Sequence, residues 1–165
     1  MVEIFKDRIE ITNPGEPLVD IQRFLDNPPT SRNEILASLL RRFKICEERG
    51  SGIDKVVSQV ELYQLPAPLF EVPKGFTRTV LFARKSLANM SKEERLHACY
   101  LHACLKYVQR DFLTNTSIRK RFGIGEKNRS MASRLIRDAL EASVIVAHTP
   151  DAPPKRMKYI PFWAR

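Results

Sequence analysis

The length of 165 residues suits one ordinary domain or two small ones, and 43% hydrophobic with 28% charged residues is the balance of a folded globular chain, not a disordered one. No apolar run approaches the roughly eighteen residues a membrane span needs, and Met1 to Ile11 lacks a signal-peptide layout, so a cytoplasmic protein without a membrane partner is expected. The net charge of +9 is unevenly placed: residues 1–89 carry 13 basic and 12 acidic side chains, whereas residues 90–165 carry 15 and 7, which points to a polyanionic partner for the second half.

Along the chain, Val2, Ile4, Ile9 and Ile11 alternate with charged residues around Lys6-Asp7-Arg8, the pattern of a hairpin, and Asn13-Pro14-Gly15 stops its second strand. So early a core strand suggests a C-terminal piece of a longer protein. Pro17 to Asp26 reads as a short helix ended by Asn27-Pro28-Pro29. Asn33 or Ser31 can cap the next helix, whose Ile35, Leu36, Leu39, Leu40 and Phe43 form an apolar stripe. After Gly50-Ser51-Gly52 a further helix turns Ile53, Val56, Val57 and Val60 inward until Pro66 and Pro68 break it. Phe70 to Val72 and Thr77 to Arg84 read as strands around Pro73-Lys74-Gly75. Four strands and two or three helices make an α+β unit, a small antiparallel sheet with helices on one face, over residues 1–88.

Residues 89–165 make a second unit. Ser91 and Glu94 form a capping box for a helix that runs to about Gln109, with Leu101, Cys104, Leu105 and Val108 inward and Tyr100 and Tyr107 flanking. The two tyrosines are core or interface residues by their spacing, with base stacking as the rival reading. Cys46, Cys99 and Cys104 are read as small buried hydrophobes; with His97 and His102 they do not converge as zinc would demand, and no metal site is expected. Thr114 or Asn115 caps a short helix containing Ile118 and Phe122, and Gly123-Ile124-Gly125 makes a corner with Ile124 between the helices. In the next helix Ala132, Leu135, Ile136, Ala139 and Leu140 make one apolar stripe. Val144 to Val146 and Met157 to Phe162 are strands about a loop at Pro150 to Pro154. Three helices and a hairpin with a basic tip describe a winged helix-turn-helix.

The polar side of that last helix carries bases early and acids (Asp138, Glu141) late, against the preference of the helix macrodipole. A duplex phosphate backbone explains such an order. Arg134 and Arg137 are candidates for guanine edges or phosphates; Lys127, Asn128, Arg129, Ser130 and Ser133 are candidates for backbone contacts; and Lys155, Arg156 and Lys158 form the wing. The expected partner is double-stranded DNA. Protein contact through the same fold is the rival. Glycines before a helix can approach a phosphate, but Gly50 as a helix end and Ser51 as a cap are equally ordinary roles.

The runs VEIFKDRIEITNPG, SRNEILASLLRRF and EERGSGIDKV resemble the C-terminal region of RecG-related ATP-dependent DNA helicases or transcriptional regulators, and RFGI, RLIRDALEASVI and the closing YIPFWA resemble their winged-helix segment. The resemblance implies a GHKL-like remnant followed by a winged helix, with an Alba- or Schlafen-like segment of the same protein upstream as a partner and a homodimer as an open option. It also implies a nucleotide-binding role for Gly50, Ser51 and Gly52. The helix bearing the Glu and Asn of a GHKL site would precede Val2, and neither a DxGxG box nor a Walker motif is present. No catalytic residue, no cofactor and no enzymatic turnover are therefore expected of this chain; ATP with Mg²⁺ belongs only to a longer protein. The alternative is a fragment of an ATP-dependent enzyme whose nucleotide site is completed by absent N-terminal sequence, and a third option is an interaction module with incidental charge.

Overall fold

A computed structural model describes residues 1–46, 50, 52–153 and 156–165. It is an α+β structure with a small antiparallel sheet and five helices among those residues. The opening hairpin pairs β1 (Val2–Ile4) with β2 (Arg8–Pro14), Val2 facing Ile11 and Ile4 facing Ile9. β2 also pairs along its whole length with β4 (Phe76–Phe82), which pairs with β3 (Leu69–Glu71), so the order is β1-β2-β4-β3. β3 and β4 are each displaced by a residue or two from the runs expected of them. Gly15 ends β2 with φ at +95°, and its N–H donates to the Gly75 carbonyl at 2.8 Å.

The helix expected at Pro17 to Asp26 is not formed; a single 3-10 turn covers Ile21–Arg23. The Asp20 carboxylate accepts from the Gln22 N–H and starts the turn, and Leu25 is buried in the core immediately after it, so the chain is anchored before a second turn can follow. Helix α1 (Glu34–Arg42) starts at Asn33, whose side chain accepts from the Leu36 N–H. Its apolar stripe faces outward: Ile35 is 84% exposed and Phe43 68%. Helix α2 (Gly52–Leu62) turns Val57 and Val60 inward, as its spacing predicts.

Helix α3 (Lys92–Val108) begins with the capping box of Ser91 and Glu94, reinforced by Lys85, whose ammonium holds the Glu94 carboxylate at 2.8 Å. Buried residues run continuously from Ala98 to Leu105, so every side of this stretch is covered. One side packs with Leu25, Val57, Ala67 and Phe70; the other, through Cys99 and Ala103, packs with Leu113, Ile118, Ala132 and Ile145. α3 thus serves two cores. Cys99 and Cys104 are buried as expected, but Cys46 is exposed, because it follows α1, which buries none of its residues.

Between the two halves lies a polar junction that periodicity gives no sign of. The His102 Nδ1–H donates to Glu61 of α2 at 2.8 Å, and the Arg121 Nε stands 3.6 Å from the same carboxylate. The Arg121 Nη2 donates to the Leu65 carbonyl at 2.7 Å. His102 and Arg121 are both buried. Burial lowers the Arg121 pKa, and the Glu61 carboxylate opposes that shift.

Candidate nucleic-acid interface

The surface in question is built by two helices, the turn between them and a hairpin. Helix α4 (Asn115–Phe122) is started by Thr114, whose hydroxyl accepts from the Ser117 N–H at 3.1 Å while the Ser117 hydroxyl accepts from the Thr114 N–H at 2.9 Å. It ends at Gly123, left-handed at φ +63°, with the Gln64 amide oxygen 2.8 Å from where a β-carbon would sit. The left-handed backbone favours glycine there, whereas the Gln64 amide is the end of a flexible side chain that can move aside. Ile124 packs against the second core, and a 3-10 turn at Glu126–Asn128 leads into helix α5 (Arg129–Glu141). Ala132, Leu135, Ile136 and Ala139 of α5 are buried, which fixes its rotation and sends the remaining positions outward.

Lys127, Asn128, Arg129, Ser130, Ser133, Arg134 and Arg137 are all exposed. Lys127, Arg129 and Arg134 have no carboxylate within ion-pair distance among the described residues, whereas Arg137 lies 3.8 Å from Glu141 one turn on. Ser133 is partly engaged within the protein: its hydroxyl accepts from the Asn115 amide at 3.0 Å, and that amide also reaches the Arg129 carbonyl at 3.1 Å. These contacts tie the start of α4 to the first turns of α5. With about 100° between successive helical residues, Arg129, Ser133 and Arg137 share one side, and Arg134 lies a quarter-turn around from Ser133.

The hairpin joins β5 (Ile145–Ala147) to β6 (Tyr159–Pro161), with Ile145 opposite Pro161 and Ala147 opposite Tyr159. The returning strand is shorter than expected at both ends, because a 3-10 turn takes Phe162–Ala164 and residues 157–158 lie outside the pairing. Leu113 and Tyr159 exchange backbone hydrogen bonds at 3.0 Å each way, fastening the hairpin to the segment before α4. Arg156 is exposed; the Lys158 ammonium stands 4.5 Å over the Phe112 ring, which also lies 4.6 Å from the His148 ring. Lys155 lies outside the described residues. A groove of about 430 Å³ runs between these parts, with Asn115 and Ser133 on one wall and Arg156 and Lys158 on the other. The cations that line this groove, Arg156 and Lys158, come from the hairpin, whereas α5 contributes Ser133 and Ile136 to it.

The glycine segment is placed differently. Gly50 is left-handed at φ +62°, and the Pro29 ring lies 3.0 Å from where its β-carbon would sit, a requirement for glycine that owes nothing to a ligand. Gly52 is the first residue of α2, and Ser51 lies outside the described residues. Among the described residues no group of three or more His, Cys, Asp or Glu side chains could hold a metal ion, and no helix is long and apolar enough to cross a membrane.

Residues 1–81 match a protein family described as "Putative ATP-dependent DNA helicase recG C-terminal". Among solved structures, the DIP2311 protein from Corynebacterium diphtheriae aligns over 93% of this chain at 21% identity, with a TM-score of 0.44; the chain spans 29% of that protein's length. None of the curated proteins compared matches the chain. The family match lies wholly in the first half of the chain, and no family match covers α3 to α5 or the β5–β6 hairpin.

Proposed function

We propose that this chain is a DNA-binding module of a RecG-related protein, in which α3 to α5 and the β5–β6 hairpin act as a winged helix. α5 enters the major groove with its first turns, and the hairpin follows an adjacent groove or strand. The observation that carries this reading is the groove between Asn115 and Ser133 on one side and Arg156 and Lys158 on the other, together with Lys127, Arg129 and Arg134, exposed at the start of α5 and in the turn before it with no ion pair among the described residues. Exposed positive charge beside a concave surface is what a phosphate backbone requires. Asn115, through its two bonds to α5, sets the position of Arg129 and Ser133, which makes it a positioning residue. Asn128 and Ser130 add neutral donors for phosphate oxygens, whereas the Ser133 hydroxyl donates to the Arg129 carbonyl at 3.4 Å and acts only after releasing it; Arg134 offers the forked geometry suited to a guanine edge.

The chain is proposed to act without turnover and without a cofactor of its own, ATP and Mg²⁺ belonging to the longer protein, in the cytoplasm. Anisotropy of a labelled random duplex, titrated at several salt concentrations, tests the DNA reading. The affinity is expected to fall steeply with salt, the logarithmic slope being about −0.9 per neutralised phosphate. Binding that is absent at low salt, or insensitive to salt, removes the proposal.

A further inference from the structure

A second concave site lies away from the basic groove, where the two halves meet. It holds about 400 Å³ and is walled by Ile21, Phe70, Leu96, Leu101, Val144 and Phe162, side chains from five separate parts of the chain. Pockets of about 300–1,000 Å³ that are mostly apolar, sit between structural units and hold a few fixed polar groups are the usual form of small-molecule sites. An apolar cavity of about 150 Å³ already accommodates benzene, so this one has room for a substituted or fused ring.

The polar groups narrow the ligand. The Tyr100 hydroxyl is committed: it donates to the Gln22 carbonyl and accepts from the Trp163 Nε1–H at 3.0 Å. The His97 Nε2 lies 2.9 Å from the Pro68 carbonyl, which can only accept, so that nitrogen carries the proton. Burial lowers the His97 pKa and keeps the ring neutral. Its Nδ1 is then an acceptor with no hydrogen-bond partner among the described residues. Glu93 at the rim accepts from the Ser91 hydroxyl at 2.8 Å, and backbone and Ser91 hydrogen bonds hold its pKa below the usual value, so a negative charge sits at the mouth.

We propose that this cavity is a binding site for a small neutral aromatic molecule bearing one hydrogen-bond donor, of the phenol class, with the ring among the apolar walls and the donor on the His97 Nδ1. The exposed Glu93 carboxylate at the rim disfavours carboxylated aromatics.

Trp163 is the only tryptophan of the chain, and it hydrogen-bonds to Tyr100, whose ring stacks on Phe162 at 5.9 Å in the cavity wall. Its single indole N–H resonance in a ¹H–¹⁵N spectrum therefore reports on the site. Titration with 4-ethylphenol is expected to shift that resonance to saturation. 4-Ethylanisole, which lacks the donor, is expected to bind about tenfold more weakly, and 4-ethylbenzoate more weakly still. His97→Leu is expected to bring the phenol and the ether to the same affinity. No saturating shift with 4-ethylphenol, equal binding of phenol and ether to the wild type, or equal binding of the benzoate overturns the proposal. So does a response confined to the exposed apolar residues of α1 and β1. Should His97→Leu fail to fold, the wild-type comparison of phenol, ether and benzoate decides by itself.

Discussion

Arg121 supports the sharpest test of how the two halves are joined. It is 3% exposed, its Nη2 donates to the Leu65 carbonyl at 2.7 Å, and its Nε lies 3.6 Å from a carboxylate that also holds His102. Arg121→Met keeps much of the apolar stem, strips the Leu65 carbonyl of this donor and leaves Glu61 with His102 alone. Removing one partner of a buried pair costs about 3–5 kcal/mol. The 3.6 Å separation and the 14% exposure of Glu61 argue for the lower end, about 3 kcal/mol. Urea unfolding followed by the fluorescence of Trp163 reads this directly: with a slope of about 2 kcal/mol per molar, the midpoint falls by about 1.5 M. The double substitution Glu61→Leu with Arg121→Met leaves no lone buried charge of this pair, so its cost is expected to fall short of the sum of the singles by at least about 1 kcal/mol. An Arg121→Met protein within about 0.5 kcal/mol of wild type, or strictly additive singles, refutes the junction as a coupled unit.

Arg134→Ala is expected to weaken duplex binding by about 1–3 kcal/mol if the guanidinium reads a base, measured by anisotropy on a preferred and a random duplex. Gly123→Ala puts a β-carbon at a left-handed position while the Gln64 amide can swing aside, and should cost about the 1 kcal/mol of the conformational penalty, seen as a lower melting temperature. Burial pushes the Cys99 and Cys104 thiols up to about 12, whereas Cys46 is exposed; an aromatic disulfide reagent at pH 8 should therefore titrate one thiol quickly and two only on unfolding. His97 has its pKa depressed below 6.5 by burial, so the unfolded chain binds its proton more readily. Its stabilising contribution is complete above the unfolded value and is lost as pH falls through 6.5 towards the folded one; the stability of His97→Leu should decline less over that interval.

The local grammar of the sequence determined much of this molecule. Ser91 with Glu94, and Thr114 followed by Ser117, place helix starts because a hydroxyl or carboxylate three residues away satisfies a free N–H without help from elsewhere. Gly123 marks the end of α4 because the left-handed corner needs it, and the stripe from Ala132 to Ala139 sets which side of α5 is buried. The basic character of the last half was equally legible, since charge is a property of composition. Periodicity also misled in one place: α1 has the stripe of a core helix, yet Ile35 and Phe43 are exposed.

Tertiary structure alone decided which partners each surface meets. The sheet order, the two-sided packing of α3, the meeting of Glu61, His102 and Arg121, and the commitment of the Ser133 hydroxyl to Asn115 all join residues far apart in the chain. A repeat of apolar residues states that a face is suited to burial, but the energy of burial depends on what lies opposite, and that is settled only when distant segments pack. For the same reason the chain announced its cations one by one, whereas the groove that gathers Arg156 and Lys158 opposite Ser133 exists only in the folded molecule.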